Sequence, residues 1–159
     1  MLRHTLAECI TVLEKDQSDK SISLFKVNEN KKLEITESVR INAESIAKRI
    51  FSKWEGFAGY IWGKGQPEIE NKVKPDDPRF NDQGLSATPI GSILGIPLSV
   101  DDKIIGVLCL QSEAENGFVE AADLRTVEFY ARLCTLILLY DKINNNGLQG
   151  GNRDANDYS

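Results

Sequence analysis

The stretch SILGIPLSVDDKIIGVLCLQ, Ser92 to Gln111, constrains the fold more than any other part of the chain. It reads as two apolar strands joined by one charged turn, Asp101-Asp102-Lys103, so the two strands pair with each other antiparallel. The alternation in the first strand is lopsided. Successive strand side chains point to opposite faces, which puts Leu94, Ile96, Leu98 and Val100 on one face and Gly95, Pro97 and Ser99 on the other. The bulky face has to pack against helices behind the sheet, and the small face leaves room in front of it. That front space is either the floor of a binding site or plain core.

A second feature sits at the far end of the chain, in a helix that begins near Phe118. Leu124, Val127, Ala131, Cys134 and Leu138 form one apolar stripe, and Phe129, Leu133, Leu136, Tyr140 and Ile143 form another. At about 100° per residue the two stripes lie nearly opposite each other. A helix with two apolar sides needs two partners: the sheet covers one side, and a neighbouring helix of this chain or of a second copy covers the other. Beyond Ile143 the run NNNGLQGGNRDANDYS is rich in Asn and Gly and is expected to stop the helix, which makes residues 144–159 a flexible tail after a single domain of residues 1–143.

The remaining elements follow from periodicity. Leu2, Leu6, Cys9, Ile10 and Leu13 predict an amphipathic helix over residues 2–15, and Asp16 to Lys20 is a polar break. Ser21 to Val27 alternates as a strand, Asn28-Glu29-Asn30 turns, and KLEITESV returns as a second strand. Asn42 can cap a helix carrying Ile46, Ala47, Ile50 and Phe51. Residues 71–91 hold three of the five prolines and no periodicity, so they form a long irregular connection, a kind of loop that is more often functional than idle.

Composition narrows the function. The chain has 159 residues, enough for one core, and a net charge of −5 with scattered Lys and Arg. Nucleic acid and anionic membrane both demand clustered positive charge, so neither is expected as a partner. No run approaches the length of a membrane span, and the first residues carry acids too early for a signal peptide, so the cytoplasm is the expected compartment. Cys9, Cys109 and Cys134 each lie in an apolar run, as reduced, buried thiols do, and no pair has the spacing of a zinc or redox site. His4, the sole histidine, leaves no imidazole cluster for catalysis or metal binding.

The order helix, hairpin, helix, loop, hairpin, long helix fits an α+β fold. Three blocks in register, EGFAGYIWGKGQPEIENKVKPDDPRF, SILGIPLSVDDKIIGVLCLQ and FVEAADLRTVEFYARLCTLIL, resemble the GAF domain family. The resemblance is good from Gly56 to Tyr140 and only topological from Met1 to Phe51. It implies a PAS-like central antiparallel sheet of five or six strands. Terminal helices would pack on one face of it, with short helices and a long loop on the other, and a ligand pocket walled by Gly56 to Gly65 and Asp76 to Gly91. Cyclic-nucleotide-binding members carry an Asn-Lys pair where this chain has Gln111-Ser112. Bilin-binding members and free methionine sulfoxide reductases use cysteines in the wall that here runs from Asn71 to Gly91, which contains none, and haem-type members use a pocket histidine.

The candidate pocket lining is Phe57, Tyr60, Trp62, Asp77, Phe80 and Ser92, with no catalytic or metal-binding residue and no cofactor. The clustered aromatics, Trp54 included, read either as a wall that stacks a planar ligand or as a small core beneath the loop. Asp76-Asp77-Pro78-Arg79 reads either as a group that orients a polar ligand or cation or as turn chemistry. Gly56, Gly59, Gly63 and Gly65 match neither nucleotide-binding fingerprint. The expectation is a non-enzymatic regulatory module that binds a small molecule or passes a signal through dimerising terminal helices, acting either on a protein partner in trans or as a piece of a longer polypeptide. The alternative is a structural dimerisation domain with an occluded pocket.

Overall fold

The computed structural model describes residues 1–13, 19–80 and 90–157, with side chains as far as residue 145. The end of the predicted first helix, most of the polar break after it and the greater part of the Asp76 to Gly91 wall therefore lie outside the described residues.

Helix α1, Leu2–Leu13, buries Leu6, Cys9, Ile10 and Leu13, the stripe its periodicity predicts. Strands β1, Lys20–Val27, and β2, Leu33–Val39, form the expected hairpin. Its turn is organised by Asn28, whose Oδ1 accepts the backbone N–H groups of Asn30 at 2.9 Å and Lys32 at 3.0 Å. Helix α2, Ala43–Lys48, starts at Asn42, whose side chain accepts the Ser45 N–H at 2.8 Å.

Helix α2 is shorter than its apolar spacing predicts. Arg49 leaves the helical region at φ −88°, ψ 70°, and Ile50 is exposed. The reason lies at Phe51, whose backbone exchanges hydrogen bonds of 2.8 and 3.0 Å with Leu33 and whose ring meets Phe25 at 5.7 Å. One more helical turn would forfeit both contacts.

Helix α3, Gly56–Lys64, ends at Gly65, which at φ 68° donates its N–H to the Ile61 carbonyl at 2.9 Å. Strand β3, Glu68–Glu70, leads through the connection to β4, Ser92–Val100, and β5, Lys103–Ser112. Asp101 and Asp102 both take positive φ, 50° and 65°, as a two-residue hairpin turn requires. The sheet order is β2-β1-β5-β4-β3, with every described pairing antiparallel.

Helix α4 runs from Glu120 to Asp157. The expected stop after Ile143 is corrected: helical backbone continues through the Asn/Gly segment. Once a helix is nucleated, each added residue gains a backbone hydrogen bond without a new nucleation cost, and this offsets the poor intrinsic preference of Asn and Gly.

The sheet divides the interior in two. Behind it, α1 and α4 meet Ile22, Leu24, Leu94, Ile96, Leu98, Leu108 and Leu110. In front, Phe57, Ala58 and Ile61 of α3 meet Phe25, Leu33, Phe51, Ile93, Val107 and Cys109. No helix among the described residues is long and apolar enough to cross a membrane.

Candidate functional site

The small face of β4 determines what can sit in front of the sheet. A Cβ built on Gly95 would lie 2.7 Å from both Phe57 Cε1 and Ile61 Cγ1, so α3 rests directly on this glycine. The room predicted in front of the small face is real, and α3 occupies it. The hairpin is therefore core at Gly95.

The polar part of the site lies at the β3 edge. Strand alternation turns Ile69 toward the helices behind the sheet and places Glu68 and Glu70 in front, where Arg79 meets both. Arg79 bonds most tightly to Asp77: its Nη2 lies 2.6 Å from Oδ2, its Nε 3.0 Å from Oδ1, and its backbone N–H 2.9 Å from Oδ1. Glu70 Oε2 accepts from Nη2 at 3.3 Å, while Glu68 Oε2 stands 3.6 Å from Nη1. The guanidinium also lies over three rings, with its carbon 5.5 Å from the Phe57 centroid, 5.2 Å from Tyr60 and 5.5 Å from Phe80. Phe57 and Phe80 stack at 5.6 Å and 17°. The hydrogen bonds from Arg79 hold the Asp77 carboxyl below its usual range against the opposing effect of burial, and Asp77 raises the arginine in turn.

The sequence-predicted residues thus separate into groups. Phe57, Tyr60, Asp77 and Phe80 come together around Arg79. Trp62 is half-buried against the same apolar cluster, with Lys53 Nζ 6.0 Å from its ring. Ser92 shares the rear face with Leu94 by alternation, fully buried, and there its hydroxyl donates to the Ala114 carbonyl at 2.7 Å and accepts the Gly117 N–H at 3.1 Å. It pins the connection between β5 and α4 on the side away from Phe57. Trp54 is exposed, and its ring covers Gly63. In the sequence Arg79 stood out only as part of the Asp76-Asp77-Pro78-Arg79 run, and Glu68 and Glu70 did not stand out as site residues. The available signal was the Glu-Ile-Glu alternation, too short at three residues to stand out as a strand.

All three described thiols are free and buried. Burial pushes Cys9 and Cys109 up to about 12 and Cys134 up to about 11, which keeps them protonated near neutrality. Cys109 alone faces the front cluster, near Arg49, whose pKa is lowered by burial. Among the described residues no cluster of His, Cys, Asp and Glu could hold a metal ion. A shallow groove of about 400 Å³ at the β1–β2 turn, lined by Lys26, Asn28 and Glu34 among others, lies at the opposite end of the sheet from Arg79.

This sheet order, with terminal helices behind and a short helix in front, agrees with the comparison to family models, in which the GAF domain model matches residues 1–138. The chain belongs to the GAF domain family. No curated protein matches it significantly. Among solved structures it is similar to the GAF domain of a Coxiella burnetii phosphoenolpyruvate-protein phosphotransferase, with a TM-score of 0.69, 14% identity and coverage of 91% of this chain and 96% of that one. The GAF domain of the corresponding Acinetobacter protein gives a TM-score of 0.68 and 16% identity, covering 88% and 93%. A free methionine-R-sulfoxide reductase from Neisseria meningitidis, in complex with its substrate, gives 0.64 and 21% identity, covering 83% and 74%. At these identities the likeness is one of fold.

The reductase overturns one expectation. This chain was expected to be no enzyme, yet the same fold houses a reductase, so the fold does not argue against catalysis. Chemistry resides in the groups grafted onto a scaffold, and one scaffold accommodates several.

Proposed function

We propose that this GAF domain is a regulatory module that pairs with a second copy through α4 and responds to a small molecule on its α3 face. The observation that carries this reading is the outer row of α4. Phe129, Leu136, Tyr140 and Ile143 are 58, 63, 62 and 70% exposed, and Leu133, packed at the edge of the rear cluster, lies between them. Their spacing of four, three, four and three residues is that of a two-stranded coiled-coil seam. A second copy presenting the same row would bury it symmetrically. A physical route for a signal exists as well, because α4 packs on β4 and β4 carries Gly95 beneath α3, so a shift of α3 presses on the strand that supports the dimer helix.

Light scattering at tens of micromolar tests the assembly. The wild type should run as a dimer, and Leu136→Glu combined with Tyr140→Glu as a monomer; a monomeric wild type would sink the reading. A second reading, an assembly domain without a ligand, is favoured by Phe57 and Ile61 filling the space above Gly95. Native mass spectrometry of protein purified from its own host separates the two, since a retained small molecule supports the first.

A further inference from the structure

The segment from Lys74 to Phe80 crosses the α3 side of the sheet with little to fasten it. Among the described residues its backbone hydrogen bonds stay within the segment, from Asp77 N to Lys74 O at 3.1 Å and from Phe80 N to Asp77 O at 3.0 Å. Side chains hold it in place: the Arg79 guanidinium and the Phe80 ring stacked on Phe57.

The seat that receives Arg79 has a fixed half and a movable half. Phe57 and Tyr60 on α3 and Glu68 and Glu70 on β3 belong to the body of the domain. Asp77, Arg79 and Phe80 travel with the segment. Arg79 is bound tightly to its own segment, at 2.6 to 3.1 Å from Asp77, and loosely to the fixed carboxylates, at 3.3 and 3.6 Å. Lifting the segment therefore keeps Arg79 paired.

The fixed half, by contrast, is under-supplied with donors. Glu68 Oε2 is buried and receives no hydrogen bond, Glu68 Oε1 faces Lys64 Nζ only at 3.5 Å, with that ammonium also 5.8 Å from the Tyr60 ring, and Glu70 Oε1 accepts the Lys72 backbone N–H at a long 3.3 Å. Two carboxylates against one lysine leave it with an excess negative charge. Ring faces joined to carboxylates are the chemistry that recognises a planar or compact organic cation.

We propose that Phe57, Tyr60, Glu68 and Glu70 form a recognition seat for the cationic end of a small ligand, a guanidinium or primary ammonium group, and that Arg79 is its resident intramolecular occupant. This rests on the reading of the α3 face as the ligand-responsive side. A ligand that claims the seat displaces Arg79 and frees the 74–80 segment, so that recognition and release are one event.

The test replaces the occupant. Arg79→Met keeps the aliphatic stem and removes the charge. Its thermal unfolding is followed with added ethylguanidinium, ethylammonium or neutral ethylurea at constant ionic strength. The variant should melt a few degrees below wild type and recover with either cation at millimolar concentration but not with ethylurea. Wild type should need at least about tenfold more cation, because a tethered side chain competes at an effective concentration of millimolar order. Adding Glu68→Gln to Arg79→Met should abolish the recovery. No recovery, or an equal response to ethylurea, overturns the proposal. Should Arg79→Met fail to fold, backbone amide resonances of wild type over residues 56–80 are compared in ethylguanidinium and ethylurea, and the absence of cation-selective shifts overturns it equally. Repeating the titration on the Leu136→Glu/Tyr140→Glu background separates the seat from dimerisation. A retained ligand without a cationic group, together with no cation response, would remove the seat and leave the regulatory reading intact.

Discussion

Two glycines hold the centre of the molecule, Gly95 and Gly106, and they do so for different neighbours. A Cβ on Gly95 would press on side chains, Phe57 and Ile61, at 2.7 Å, whereas one on Gly106 would collide with the Phe25 backbone carbonyl. Side chains can give way and a sheet ladder cannot. Gly95→Ala should cost about 1 to 3 kcal/mol in urea unfolding, the usual range for overpacking, and Gly106→Ala should cost more. The candidate lining divides in the same manner. Leu108→Ala, at a fully buried position, should lose about 2 to 5 kcal/mol. Trp62→Ala and Phe80→Ala, half-buried at the edge of the front cluster, should lose distinctly less. Losses equal to that of Leu108→Ala would make the aromatic cluster core and rule out a ligand-facing role. The thiols offer a check on burial that needs no mutation. With Cys9 and Cys109 pushed up to about 12 and Cys134 to about 11, a thiol-reactive dye near neutral pH should label native protein far more slowly than protein unfolded in guanidinium.

Among the elements, the strands and long helices were legible because their patterns are long: eight residues of β1, nine of β4, and two complete stripes on α4. Short elements were not. Strand β3 has three residues, and α2 was predicted too long because its apolar spacing continues past the point where Phe51 joins Leu33. The β4–β5 turn combines legible and illegible parts: the charged pair was visible, but the positive φ at both aspartates was not. Asp tolerates that region less well than Gly, and Asn-Gly is the preferred dipeptide there. Replacing Asp101-Asp102 with Asn-Gly should therefore stabilise the hairpin by about 0.5 to 1 kcal/mol in chemical denaturation. A loss of stability would mean that the two aspartates make contacts beyond the turn.

At the level of the whole molecule, stability should fall on both sides of neutrality for separate reasons. Burial works to raise Asp19, but the Ser112 hydroxyl at 2.6 Å and Lys20 at 3.3 Å outweigh it, and Arg79 does the same for Asp77, so both carboxyls sit below their usual range. A depressed carboxyl contributes stability above its unfolded value, near pH 4, and loses that contribution as pH falls through the folded value. The buried thiols have the opposite sign. Their contribution is complete below the unfolded value, near pH 8.5, and is lost as pH rises toward about 12. Urea midpoints measured across pH should show a plateau from about pH 5 to 8. Asp77→Asn should lower that plateau and flatten its acid limb, whereas an unchanged acid limb would remove Asp77 from the balance.

The sequence by itself determined the class and the layers. Alternation in Ser92 to Gln111 required an antiparallel hairpin with unlike faces, the two stripes of α4 required two coverings, and three blocks in order pointed to the GAF family, to which the chain belongs. Each of these rests on residues close in sequence, where the period of the backbone alone decides which side chains share a face. Only the tertiary structure decided what fills the space before Gly95 and that Arg79 brings Glu68, Glu70 and three aromatic rings into one cluster. Those outcomes depend on how α3, β3 and the segment after it approach one another across the sheet. That approach is governed by packing and charge between residues with no shared period, and a pattern read along one strand or helix does not contain it.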